Sequence, residues 1–249
     1  MPQISNHELA QTFPQLMRQI SRIGLKERVI KDLSDTFDFA EEFSHGLYRK
    51  CGTPLLDHLV RTSSILLQAG QPIELVKSGM VHAIYIAHRF ERNKRNPPDS
   101  RLRSLVTQRI GENVESILWD YGQTMMRGGL RHLETSNFSK SRQREIKIII
   151  LANDTEDFMD GAAAFGTNPL VEVEETFEVL TCLAKSLEMD NFLGLIRESK
   201  NVYQQDFLNL IIKRPFTKGY DRGGDCFRRK TLSQRVLGRA KSMLSQISM

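Results

Sequence analysis

Apolar residues recur three and four positions apart along most of this 249-residue chain, and that periodicity leaves little room for anything but helices. In "KERVIKDLSDTFDFAEEFSHGLY", Val29, Ile30, Leu33, Phe37 and Phe43 share one face. "TPLLDHLVRTSSILLQAG" opens on Pro54 and closes on Gly70, the expected start and stop of a helix. "QPIELVKSGMVHAIYIAHRF" repeats the proline start and reads as one continuous helix. Upstream, Ser5 with Glu8 has the spacing of a capping box before "LAQTFPQLMRQI", where Pro14 should kink or shorten the helix.

Further helices are expected over "RLRSLVTQRIG" behind a Ser100 cap, "ENVESILWDYGQTMM", "NPLVEVEETFEVLTCLAKSL" and "MDNFLGLIRESKNVYQQDFLNLIIKR". "KSRQREIKIIILANDTEDFMDG" is the strongest of them. Its β-branched "EIKIIIL" is read as helix, because a lone strand among helices has nothing to pair with. "ERNKRNPPDS" and the glycine-bearing "RGGLRHLETSNFS" are connections, and no internal repeat is visible. The fold class is therefore all-α.

Composition supports a folded body: 40% hydrophobic and 26% charged residues suffice for a full core. No apolar run approaches the roughly 20 residues of a transmembrane segment. "MPQISNHELAQTF" lacks the apolar heart of a secretory signal, and Cys51, Cys182 and Cys226 show no CxxC spacing. Free thiols in the cytoplasm are the expectation.

Charge divides the chain in two. Residues 213–249 hold ten basic residues against two acidic ones, a net +8, which leaves residues 1–212 at −3 of the overall +5. The domain reading follows: a helical body over 1–212, then a basic extension over 213–249. In the extension "PFTKGYDRGGDCFRR" is a loop, and "TLSQRVLGRAKSMLSQI" is an amphipathic helix with Leu232, Val236, Ala240 and Leu244 near one stripe. Such a segment attracts nucleic acid, an acidic partner or a membrane surface without specifying which, and it can equally pack on its own domain.

Three short segments carry the candidate chemistry. After Gly46, "GLYRKCGTPLLDHL" supplies Arg49, Lys50, Cys51, Gly52, Thr53 and Pro54, then His58. About two dozen residues later, Gly79, Met80, Val81, His82 and Ala83 end an apolar run, and "LANDTED" starts at Leu151. These segments resemble the HD-domain superfamily, most closely the hydrolase domain of the RelA/SpoT type. The corresponding runs there read G-x-x-R-K-S-G-E-P-Y-x-x-H, L-L-H-D and K-L-A-D-x-x-x-N. The resemblance spans residues 25–165 and implies an HD-domain-like helical bundle. In that family two histidines and two carboxylates on separate helices hold a divalent ion, which activates water and polarises a phosphoryl oxygen.

Carried over by position, His58 and His82 keep the two imidazole ligands. Ala83 replaces one aspartate, Asn153 stands where the other belongs, and Asp157 takes the family's asparagine position. Asp154, about 100° further round the helix, is the tentative third metal ligand. Ser44 occupies the place of the family's upstream histidine, with His45 one residue later. Arg49 is implied to hold the site or bind phosphate, and Asp57, Asp154, Glu156 and Asp157 are the acids able to compensate for those lost.

The run H-A-x-Y, in place of H-D, looks like an uncharacterised HD-like sub-branch. Tyr85, one turn beyond His82, is then a catalytic acid or hydrogen-bond donor in a rebuilt pocket, or a partly buried aromatic with its hydroxyl outside. The implied cofactor is a divalent transition metal (Mn, Fe or Zn), or none if the site has been retired.

A small phosphorylated molecule such as a nucleotide is the ligand expected at His58 and His82. Three readings stand open: a metal-dependent phosphohydrolase, a metal-free small-molecule enzyme or ligand-binding module, and an interaction protein docking through its basic tail. His88, Arg89, Arg92, Lys94 and Arg95 form a solvated basic face or a phosphate contact. Trp119 and Tyr121 are core or pocket wall. "RGGL" and "DRGGD" lack the GK[ST] ending of a P-loop, and no GxSxG, HExxH or GxGxxG occurs.

Overall fold

The computed structural model describes residues 8–49, 51–91, 100–162, 171–204, 220–223 and 226–229. The body is all-α. Helix α1 (Phe13–Ile23) starts behind Thr12, whose backbone N–H donates to the Gln15 side chain at 3.1 Å. Pro14 lies in its first turn, where a missing N–H costs nothing, so it opens the helix rather than kinking it. Ser5 lies outside the described residues, as do the basic loop over 92–95 and the amphipathic segment over 231–247.

Helix α2 (Glu27–Ser44) stops four residues before the expected end at Tyr48. Gly46 takes a φ of +70° and turns the chain into strand β1 (Leu47–Arg49). Pro54 then leads α3 (Leu55–Gln68), which ends at Gly70 with φ +67°. The expected helix over 71–90 is broken in two: α4 (Ile73–Val81) and α5 (Ile84–Glu91) meet at a turn made by His82 and Ala83.

Helices α6 (Ser100–Ile110) and α7 (Glu112–Arg127) follow, hinged on Gly111, and a short α8 (Leu130–Glu134) forms inside the glycine-bearing connection. Ser139 caps α9 (Lys140–Met159) by accepting the Arg142 N–H at 3.2 Å. Helices α10 (Val171–Ser186) and α11 (Asn191–Val202) complete the described body.

Residues 148–152 of α9 are buried without a break, so this helix runs through the core with α3, α4, α7, α10 and α11 around it. The most extensive helix pairing is that of α3 with α4. Gly79 permits it: a Cβ there would lie 2.5 Å from Leu66 Cδ1 and 3.4 Å from the Ser63 backbone. Ser63 adds a hydrogen bond to the Val76 carbonyl at 2.8 Å. Lys77, 5% exposed, ties α4 to α2 and α6 by donating to both Asp32 carboxylate oxygens and to the Ile110 carbonyl.

The expected loop over 215–229 contains two strands instead, β2 (Tyr220–Gly223) and β3 (Cys226–Arg229). They pair antiparallel with each other, and β3 pairs antiparallel with β1, giving the order β1-β3-β2. Leu47 faces Arg228 and Arg49 faces Cys226 in that register. The start of the basic extension is therefore stitched to the body at the strand that carries Arg49. No described helix is long and apolar enough to cross a membrane.

Candidate functional site

The segments singled out in the sequence meet where β1, the first turns of α3, the end of α4 and the second half of α9 come together. After β1 the chain doubles back: the Arg49 N–H donates to the Thr53 carbonyl at 2.8 Å, and the Gly52 N–H to the Arg49 carbonyl at 3.0 Å. Gly52 takes φ +94°, which side chains resist, and the tight return sets Arg49 against His58 on α3. On the second half of α9, Asn153, Glu156, Asp157 and the C-cap Asp160 are spaced i, i+3, i+4, i+7 and form one polar stripe.

At the centre, His58 Nε2 lies 3.2 Å from His82 Nε2 and 3.1 Å from Asn153 Oδ1. Outward bonds assign two of these three atoms, those of His82 and Asn153. His82 Nδ1 is 2.7 Å from the Gly79 carbonyl, which only accepts, so Nδ1 carries the proton and Nε2 a lone pair. His58 Nδ1 meets both the Glu156 carboxyl and the Arg49 guanidinium, the first calling for a proton on Nδ1 and the second for a lone pair. The Asn153 amide nitrogen donates to Asp154 at 2.8 Å, turning Oδ1 inward. With the His58 proton on Nε2, His58 donates to Asn153 or His82; with it on Nδ1, all three central atoms are acceptors.

The all-acceptor form repels itself unless a cation lies within it. Neighbouring ligand atoms of a first-row ion stand about 3.0–3.4 Å apart, given bonds of about 2.0–2.1 Å. The observed spacings fall in that range, and a carboxylate or carbonyl behind each imidazole is the usual outer layer of a metal centre. Burial pushes His58 down to about 3, helped by the Arg49 charge, and pushes His82 down to about 3, helped by His58. Both rings are neutral near pH 7, as ligands must be. The donor set therefore fits a divalent transition metal, with His58, His82 and Asn153 as the residues to hold it.

The other edge of His58 is a charge network. The Arg49 guanidinium lies against Nδ1 and donates to Glu156 at 3.2 Å and to Asp157 at 2.5 Å. Arg61, also on α3, sits 3.1 Å from Glu156 and 3.2 Å from Asp160. Cys51 and Thr53 donate to Asp160 at 2.9 and 3.0 Å. Burial raises the Glu156 carboxyl to about 7 against the pull of the two arginines. It raises Asp154 to about 7 as well, with the Asp157 charge adding to it. His58, Glu156 and Asp157 also offer ligand atoms within 4.8 Å of one another, but Arg49 already occupies that side with a positive charge. Among the described residues, no such cation is bonded on the Nε2 side.

The expected residues do not all arrive. Arg49, His58, His82 and Asp157 converge. The Asp154 carboxylate accepts from the Asn153 amide nitrogen, while Asn153 Oδ1 lies 3.1 Å from His58 Nε2. The Tyr85 hydroxyl is committed elsewhere: it donates at 2.6 Å to Glu115, which Arg103 clasps with two bonds while stacking over Trp119. Burial and Glu115 raise its pKa far above that of an acid catalyst. Tyr121 is instead the ring packed edge-on against His82, with centroids 5.7 Å apart. Ser44 bonds back to the Ala40 carbonyl and His45 is exposed, so neither replaces the upstream histidine. Glu156, named only among several compensating acids, proves to be the direct partner of His58. The α9 stripe was the signal for it.

Residues 40–126 match a family model described as a domain of unknown function (DUF6817). The match takes in Arg49, His58, His82 and Tyr121 and leaves α9 outside it. No curated protein matches the chain.

Proposed function

We propose that this chain is an HD-like, metal-dependent phosphohydrolase of a nucleotide or another small phosphorylated molecule, with its ion held by His58, His82 and Asn153. The observation that carries the reading is the convergence of His58 Nε2, His82 Nε2 and Asn153 Oδ1, the last two turned inward as acceptors by outer hydrogen bonds. When bound, a divalent ion there supplies activated water and a polarised phosphoryl oxygen. The chain's own residues supply the rest. Arg49, against His58, is the cation proposed to meet an incoming phosphoryl group. Asp157, its side chain 30% exposed, is the candidate proton acceptor at the mouth. Pairing of β3 with β1 brings a segment of strongly basic sequence to the strand of Arg49, which suits an anionic substrate.

Ala83 and Asn153 favour a second reading, a metal-free HD-like module that binds its ligand through the two imidazoles. With no carboxylate among the three central atoms, attraction for a cation is weaker than in the family pattern. Metal analysis of the purified protein, followed by Mn²⁺ and Zn²⁺ titration of the chelated protein, separates the two. One ion per chain, lost in His58→Ala, supports the hydrolase. Less than about a tenth of an equivalent, with no response to added ion, leaves the metal-free module.

A further inference from the structure

Ala83 and Asn153 remove negative charge from the centre, yet the surrounding layer is rich in it. Asp154, Glu156, Asp157 and Asp160 surround the imidazoles and Asn153, with Arg49 and Arg61 as their cations among the described residues. Two of these acids are bonded directly to central ligands: Glu156 to the Nδ1 of His58, and Asp154 to the amide nitrogen of Asn153. We propose that the two missing inner carboxylates are replaced one shell further out, Glu156 acting through His58 and Asp154 through Asn153 to orient and charge the metal centre.

This inference rests on the metal-centre reading above. A carboxylate that accepts the imidazole N–H makes the opposite nitrogen a better donor and locks its direction. Asp154 does the same for the Asn153 carbonyl oxygen. Arg61 competes: it sits 3.1 Å from the second Glu156 oxygen and draws charge away from His58. Neither acid touches the ion itself, so both are positioning residues. The arrangement makes the two acids and Arg61 act in opposite directions on affinity, which packing alone does not require.

The test is calorimetric titration of the chelated chain with Mn²⁺ or Zn²⁺. The native chain is expected to bind one ion and His82→Ala none. Glu156→Gln and Asp154→Asn should each weaken affinity roughly 10- to 100-fold with the stoichiometry kept, while Arg61→Met should tighten it. Asn153→Asp, which restores an inner carboxylate, should tighten binding and cancel most of the Asp154→Asn effect. That pair makes no ion pair with either arginine and gives an answer even if Glu156→Gln does not fold. Native-like affinity in both Asp154→Asn and folded Glu156→Gln, with His82→Ala inactive in binding, overturns the outer-shell assignment and leaves the metal reading standing. No binding by the native chain overturns the metal reading and the outer-shell assignment with it.

Discussion

His58 and His82 point their Nε2 atoms at each other across 3.2 Å while their Nδ1 atoms meet different partners, Glu156 and Arg49 at His58 and the Gly79 carbonyl at His82. Two buried rings held this way stay neutral, since charging either places a proton beside its twin in a dry site. Each ring has a folded pKa of about 3. An unfolded histidine titrates near 6.5.

The sign of the resulting pH dependence is fixed. Between pH 6.5 and 3 the unfolded chain binds a proton at His82 that the folded one refuses, so this residue's contribution to stability falls as pH drops through that window. Glu156 and Asp154, raised to about 7, work in the other direction and flatten the native profile. Comparison with His82→Gln isolates the histidine. From pH 7 to pH 5, in chelator, the native chain should lose about 2 kcal/mol relative to the variant. Urea midpoints at the two pH values check it; an unchanged difference would mean that His82 is charged or exposed.

Gly79 serves both packing and site. Its absent side chain lets α4 approach α3, and its carbonyl receives His82. Gly79→Ala should cost about 1–3 kcal/mol in denaturant unfolding. It should also weaken metal binding, because the same displacement parts the two Nε2 atoms. Loss of stability with full metal affinity would show that Leu66 alone yields.

Much of this was legible beforehand, and the gaps have physical causes. Pro54 and Gly70 bounded α3 because proline and glycine act locally. His58 and His82 were found because a fixed motif spacing on two packed helices places them together. The break at His82 was not legible: apolar periodicity continues straight through it, while the His82 bond to Gly79 is a side-chain event that periodicity does not record. Asp154 was preferred to Asn153 on charge, yet helix geometry selects the stripe of 153, 156, 157 and 160. The sheet was missed because β1 and β3 lie near opposite ends of the chain, and neither has a strand signature without the other.

Tyr85 offers a clean separation of stability from function. Its hydroxyl satisfies Glu115, which is 3% exposed and otherwise relies on Arg103. Tyr85→Phe should therefore destabilise by about 1–3 kcal/mol, leaving metal stoichiometry and affinity unchanged. Thermal unfolding and metal titration read the two effects. A drop in affinity without a drop in stability would restore Tyr85 to the site.

Strand β3 is central in its sheet, so its backbone pairs on both sides. Phe227 faces Tyr48 on β1 and Arg222 on β2. A proline at position 227 removes a donor and fixes φ, which a central strand does not tolerate. Phe227→Pro should thus release the β2–β3 hairpin and leave β1 unpaired, while the helical core, built from α3, α4 and α9, stays folded. Hydrogen exchange should show faster exchange of the 47–48 amides and unchanged protection in α9. The consequence for the site follows from Arg49, which ends β1 and bonds Glu156 and Asp157. Loosened, it neutralises those acids less well, so metal affinity should hold or rise while binding of a phosphorylated ligand falls. A variant that exchanges the 47–48 amides rapidly yet binds a nucleotide as the native chain does would separate the basic extension from the site.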